Sequence, residues 1–116
     1  MRLYEEIVFL QYHSDALWVV ENVVPYYNNG QPLIEAKKIN RHLYWSNFDL
    51  PDEFEKRHEN LRKIQIPELQ AMHGFNLDKY RIKNKRQVLR NCVDPQVGLK
   101  ILESAVSSVN EARRVA

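Results

Sequence analysis

Glu21, Asn22 and Val23 form the segment of this 116-residue chain whose side-chain types and position most favour chemistry. They directly follow the apolar run 16–20 (ALWVV), which predicts a strand buried on both faces, as in a parallel sheet covered by helices. Ligands of open α/β sheets bind at the carboxyl ends of the strands, so a carboxyl group here is a candidate acid or base. For a Glu-Asn pair considered alone, a loop carboxylate that caps a neighbouring helix is the simpler interpretation.

A second distinctive group is a run of basic side chains near the middle of the chain. No acid interrupts this run, which comprises Lys79, Arg81, Lys83, Lys85, Arg86 and Arg90. It fits either a solvated loop or helix face, or a strip that contacts the phosphates of a nucleic acid. The net charge of the chain is only +2, so charge alone favours the solvated face.

Several classes of protein are excluded by composition. Hydrophobic residues make up 44% and charged residues 28%, which is ordinary for a globular protein and argues against disorder. The lone Cys92 excludes an internal disulfide framework and fits a reducing compartment, here the cytoplasm. No metal site is expected, because the histidines show no metal-ligand spacing with that cysteine. No apolar stretch is long enough to span a bilayer, so no membrane association is expected.

The elements around Glu21 predict an α/β arrangement. Apolar residues at helical spacing predict a helix over residues 3–13, which precedes the strand at 16–20. Alternating side chains predict a second strand over residues 41–48 (RHLYWSNF). Two strands cannot cover these apolar faces, so the sheet must be completed by another chain or by a symmetry mate.

The second half of the chain is predicted to be helical. Residues 52–63 are polar and predict a short exposed helix. Pro67 and Gly74 bracket another short helix. Asp94 as N-cap and Pro95 at the first helical position predict a final helix with an apolar stripe over residues 97–109.

Four segments, in this order, resemble the C-terminal part of the DNA cytosine-5 methyltransferases, especially the phage and prophage members. The family places Glu-Asn-Val at a strand end, an arginine on a later strand, a Pro-Glu-x5-Gly-Phe segment, and Gly-Asn-(Ala/Ser)-Val-x-Pro before a helix. The corresponding segments here are 21–23 (ENV), 40–45 (NRHLYW), 67–75 (PELQAMHGF) and 90–95 (RNCVDP). The similarity runs from Tyr4 to Leu102 and implies one segment, 1–116, of a partial Rossmann-like methyltransferase fold, its C-terminal half.

This resemblance also implies roles for individual residues. Glu21 would bind the N3 and N4 edge of a cytosine flipped out of double-stranded DNA, and Asn22 would shape the pocket. Arg41 would hold the cytosine O2, where negative charge grows. Asn91, Cys92 and Val93 would lie near the methyl donor, S-adenosylmethionine. The DNA-binding residues would be Lys79, Arg81, Lys83, Lys85 and Arg86.

The chain departs from the family in ways that predict a two-chain enzyme. No Pro-Cys pair provides the nucleophile, and no glycine-rich donor motif is present. Arg90 replaces the family's glycine, and the stretch before Pro67 is far shorter than a usual target-recognition domain. We therefore expect S-adenosylmethionine to bind only with a complementary methyltransferase chain, and a homo-oligomer when the chain is isolated. The alternative is a non-catalytic, methyltransferase-derived module that binds DNA or a partner.

Overall fold

The computed structural model describes residues 2–52 and 64–115, which divide into two compact units. The first unit comprises residues 2–52 and 100–115, and the second comprises residues 64–99. The short helix expected over residues 52–63 lies, except for Asp52, outside the described residues. Helices and a sheet occur together, which is compatible with the predicted α/β class, although the described strand pairings are antiparallel rather than parallel.

The first unit begins with a helix and a small sheet. Helix α1 (Arg2–His13) is followed by strands β1 (Val19–Val23), β2 (Lys37–Ile39) and β3 (His42–Ser46). The order of these strands is β1-β3-β2, and both pairings are antiparallel. The predicted helix over residues 3–13 is confirmed, and the predicted strand over 41–48 is confirmed with narrower bounds.

The strand expected over residues 16–20 is misplaced and is not buried on both faces. The β1 strand continues through Glu21, Asn22 and Val23, and its side chains alternate between exposed and half-buried. Among the described strands, β1 pairs only with β3, so it lies at an edge of the sheet. Glu21 lies on the exposed face of this edge strand, where a polar side chain is tolerated, so it does not end the strand.

A tight hairpin connects β2 to β3. Ile39 pairs with His42, which leaves Asn40 and Arg41 as the two turn residues. Asn40 has φ = 57°, in the left-handed region that asparagine tolerates better than most residues. The hairpin therefore fixes where Arg41 stands relative to β3, although the sequence alone did not predict β2.

The core of the first unit lies between α1 and one face of the sheet. Tyr4 and Ile7 of α1 form a buried cluster with Leu43 and Trp45 of β3. The rings of Tyr4 and Trp45 meet edge to face, with centroids 6.2 Å apart. The indole Nε1 of Trp45 donates to the carbonyl of Ile34 at 3.0 Å, so this buried ring has its polar group satisfied.

The second unit is built from helices α2 (Ile66–His73) and α3 (Lys85–Asn91) and the start of α4 (Pro95–Val115). The core contains Ile64, Leu69 and Leu89. The predicted helix ending at Gly74 is confirmed, since Gly74 caps α2 with φ = 80°. Helix α3 was not predicted as a separate element.

Helix α4 begins as its sequence predicts. The carboxylate of Asp94 accepts a hydrogen bond from the backbone N of Gln96 at 3.0 Å, and Pro95 is the first helical residue. Part of the predicted apolar stripe is buried, at Val97 and Ile101, whereas Leu102 and Val106 are exposed. Of the helices in the described ranges, α4 included, none has both the length and the apolar character needed to cross a membrane.

Candidate functional site

The pairing of β1 with β3 brings the segments of Glu21 and Arg41 to the same end of the sheet. Val23 pairs with His42, and the backbone N of Val24 donates to the carbonyl of Arg41 at 3.2 Å. The end of β1 therefore lies beside the turn that carries Arg41. The two residues expected to bind the base therefore lie on neighbouring segments at one end of the sheet, with Glu21 itself paired to Tyr44, although 20 positions separate them in the chain.

The carboxylate of Glu21 is held by a histidine. Its Oε1 lies 2.8 Å from the Nδ1 of His42, and a carboxylate can only accept, so the imidazole donates. The side chain of His42 is 8% exposed, whereas that of Glu21 is 32% exposed. The histidine is therefore the fixed partner, and the glutamate reaches from it toward the surface of the protein.

Asn22 points away from Glu21. Successive side chains of a strand lie on opposite faces, so Asn22 shares its face with Leu43 rather than with Glu21. The side-chain oxygen of Asn22 accepts from the backbone N of Val23 at 3.0 Å. Asn22 thus makes a local backbone contact at the edge of the sheet, on the face opposite to the carboxylate of Glu21.

Arg41 carries a hydrogen-bond donor with no acceptor in the described part of the chain. The Nη1 atom of its guanidinium is buried and makes no hydrogen bond there. A guanidinium stays charged at all relevant pH values, and a buried donor without a partner is costly. Nη1 could donate a hydrogen bond to an oxygen of a bound group that reaches it.

A groove on the first unit does not coincide with this site. It has a volume of about 650 Å³, and its lining includes Trp18, Lys37, Tyr44, Ser46 and Asp52. Neither Glu21 nor Arg41 borders it. This groove therefore does not enclose the Glu21 carboxylate, whose side chain is 32% exposed, and a base bound there would need further walls.

Two ionisable groups near the sheet have shifted pKa values. The hydroxyl of Tyr4 lies 2.8 Å from that of Tyr27, and this hydrogen bond, with burial, raises the pKa of Tyr27 to about 12. The ammonium group of Lys37 bonds to Asp52 and lowers the pKa of that carboxyl. Both contacts hold the loops beside the sheet rather than the Glu21 segment.

The residues expected near the methyl donor lie between α3 and α4. Asn91 is the last residue of α3, and Cys92 caps its C-terminus, with its backbone N donating to the Val88 carbonyl at 3.2 Å. Cys92 thus lies three residues before α4, which begins at Pro95 as the sequence predicts. A helix C-terminus is the negative end of the dipole and does not favour a thiolate. Val93 is half-buried between the two helices.

The basic run divides into two parts. Lys79, Arg81 and Lys83 are exposed in the loop between α2 and α3. Lys85 and Arg86 are half-buried in the first turn of α3. The three exposed side chains are therefore the ones most available for contact with phosphates.

His42 was not predicted to be a site residue. This histidine was considered only as a metal ligand, and the described residues contain no group of three or more His, Cys, Asp or Glu that could hold a metal ion. Alternation along β3 could place His42 on the same face as Tyr44. Only the register between β1 and β3 could show that this face also carries Glu21.

Comparison with known proteins identifies no relative. No protein-family model matches the chain, and neither a curated protein nor a solved structure matches it significantly. The functional argument therefore depends on the residues of this chain and on their geometry.

Proposed function

We propose that the chain is a subunit or fragment of a DNA cytosine-5 methyltransferase, the C-terminal half of a Rossmann-like catalytic domain, and that it binds the target cytosine. The observation that supports this proposal is the antiparallel pairing that sets the end of the strand bearing Glu21, at Val23 and Val24, beside the turn of Arg41. A carboxylate and a guanidinium at one end of a sheet match the edge of a cytosine, which presents N4, N3 and O2 in a row.

In this proposal Glu21 and Arg41 bind different atoms of the cytosine ring. Attack of a thiolate on C6 of cytosine increases the electron density on N3 and O2. Glu21 would hydrogen-bond the N3 and N4 edge, and the donors of Arg41 would stabilise the charge that develops on O2. The base must leave the duplex first, because its reacting carbons are unreachable within the stack.

A second chain would supply the remaining parts. The Pro-Cys nucleophile is absent from the sequence, and Cys92 caps the end of α3. Asn91 and its neighbours offer few polar groups for S-adenosylmethionine without a glycine-rich turn, so the donor would bind only to the assembled enzyme. The exposed faces of α1 and α4, with Phe9 61% and Leu102 61% exposed, fit a chain that is completed by a partner or by a second copy.

The test is to reconstitute the enzyme with a complementary chain that carries a Pro-Cys loop and a glycine-rich donor motif. Glu21→Gln and Arg41→Ala should each lower kcat by about 10²–10³-fold, the typical loss for one transition-state donor, with little change in DNA affinity. The matched controls are Glu103→Gln and Arg114→Ala, both at exposed positions of α4. Near-normal turnover in Glu21→Gln or Arg41→Ala would contradict the proposal for that residue.

The exposed Lys79, Arg81 and Lys83 favour a second candidate, a non-catalytic module that binds DNA through this loop. Such a module would bind double-stranded DNA alone, with an affinity that falls steeply with salt because phosphate contacts release counterions. Replacing all three residues with alanine should abolish that binding, whereas Glu21→Gln should leave it unchanged. The two candidates separate on turnover, since only the methyltransferase loses activity in Glu21→Gln.

A further inference from the structure

His42 differs from His73, the other buried polar residue in the described part of the chain. His42 is 6% exposed and His73 is 8% exposed. His73 donates its Nε2 hydrogen to the carbonyl of Leu89 at 2.7 Å, so it joins two helices of the second unit. His42 instead directs its Nδ1 at the side-chain carboxylate of Glu21. The His73 contact binds one helix to the backbone of another. The His42 contact instead orients the side chain of Glu21, which reaches the surface.

We propose that His42 is a positioning residue, which fixes the carboxylate of Glu21 in the orientation that receives the edge of a pyrimidine base. This inference rests on the proposed function. His42 touches neither the base nor the methyl donor in this account, and it acts only through Glu21.

The strand register explains how His42 can do this. Glu21 pairs with Tyr44, and Val23 pairs with His42, so His42 is the diagonal neighbour of Glu21 on the same face. Both residues stand on paired strands rather than on loops, which holds their backbones at a fixed separation. Burial holds the imidazole ring, and the ring in turn limits the rotation of the longer Glu21 side chain.

The hydrogen bond from His42 engages only one of the two carboxylate oxygens of Glu21. Oε1 accepts from His42, whereas Oε2 accepts no hydrogen bond from the described residues. A hydrogen bond at Oε1 therefore leaves Oε2 directed away from the imidazole. The N4 amino group of a bound cytosine would then donate to Oε2, an acceptor that is already oriented, and loss of such orientation typically lowers turnover by about 10–100-fold.

The first test detects the hydrogen bond between His42 and Glu21 in the full chain, without any partner. Nitrogen-15 NMR of the imidazole should show His42 as the Nδ1–H tautomer, because a carboxylate can only accept. Glu21→Ala should shift the His42 ring nitrogens, whereas the exposed control Glu103→Ala should not. Ring signals that are the same in Glu21→Ala and in the unmodified chain would overturn the inference, whatever the chain does to DNA.

The second test reads the consequence in the reconstituted enzyme. His42→Phe keeps an aromatic ring but removes the donor, and His42→Asn returns a donor at the position of Nδ1, one bond from Cγ. His42→Gln places its donor one bond further, where Nε2 stands. We expect kcat to fall about 10–100-fold in His42→Phe with KM for DNA unchanged, and to recover in His42→Asn more than in His42→Gln.

The outcomes separate this inference from the proposed function. Equal kcat in His42→Phe and the unmodified enzyme would reject the positioning role and leave the methyltransferase proposal intact. A purely structural role would favour His42→Gln or His42→Phe over the smaller asparagine, and that order would also reject the inference. If no pairing with a complementary chain transfers methyl groups, the proposed function fails and the base-orienting role fails with it, even if NMR shows the bond between His42 and Glu21.

Discussion

The two faces of the sheet in the first unit differ in what they hold. On the core face, Leu43 and Trp45 pack with Tyr4 and Ile7 of α1. On the other face, which we call the Glu21 face, β1 exposes Val19 at 41% and Val23 at 38% on either side of Glu21. Side chains alternate with a period of two, so a slip of one residue would exchange the faces. Packing on the core face therefore selects the register that sets His42 beside Glu21.

Breaking the core face should have the largest effect. Trp45 is 4% exposed, so Trp45→Ala should lower the free energy of unfolding of the first unit by about 3–5 kcal/mol. Val19→Ala, on the Glu21 face of the same sheet, should cost less than about 1 kcal/mol because Val19 is already 41% exposed. Urea unfolding followed by circular dichroism measures both variants. Similar losses for the two variants would mean that the faces are not distinct.

A smaller effect is expected from the tyrosine pair beside the core face. The hydroxyl of Tyr4 contacts that of Tyr27 at 2.8 Å and accepts from the backbone N of Leu33 at 3.1 Å. Tyr4→Phe removes both contacts and leaves the Leu33 N–H without this partner, so it should cost about 1–2 kcal/mol. Thermal unfolding measures this loss, and an unchanged melting temperature would show that the pair does not anchor the loop.

The same pair predicts a dependence of stability on alkaline pH. The pKa of Tyr27 is raised to about 12, so the folded state favours the neutral phenol. The contribution of Tyr27 is complete below its unfolded pKa of 10.0 and is lost as the pH rises toward 12. In Tyr4→Phe, ultraviolet titration of the tyrosines should find the pKa of Tyr27 closer to 10.0, and an unchanged alkaline titration would contradict this origin of the shift.

The smallest effect is expected at an ion pair on the Glu21 face. Lys37 of β2, whose register partner is Tyr44, bonds to the exposed Asp52 and lowers the pKa of its carboxyl. The contribution of Asp52 is present above its unfolded pKa of 3.8 and is lost as the pH falls through the lower folded value. Asp52→Asn should therefore flatten the stability profile on the acid side only slightly, since exposed ion pairs contribute little. A marked loss of stability at neutral pH would contradict this view.

Much of the fold follows from periodic patterns in the sequence. The helix spacing of Leu3 and Ile7 predicts α1, Asp94 and Pro95 predict the start of α4, and alternation predicts β3. The three-residue strand β2 was missed because its two lysines give no apolar pattern. The end of β1 was placed too early because Glu21 was taken to terminate the strand, although it lies on the exposed face of an edge strand.

The candidate site could be predicted only in part. The resemblance named Glu21 and Arg41, and the pairing of β1 with β3 places their segments at the same end of the sheet. Neither source named His42, because its contact with Glu21 depends on a register between strands 21 positions apart. Helix α3 escaped prediction for a related reason, since Leu89 is its one buried apolar residue and the basic run around it shows no helical period.

We propose that this chain binds the target cytosine but needs a second chain for methyl transfer. Incubating purified chain with radiolabelled S-adenosylmethionine and cytosine-containing DNA, with and without the complementary chain, tests it most directly. We predict label in DNA only when both chains are present, and a loss of that label in Glu21→Gln. Label that enters DNA with this chain alone, and that disappears in Cys92→Ser, would contradict the account.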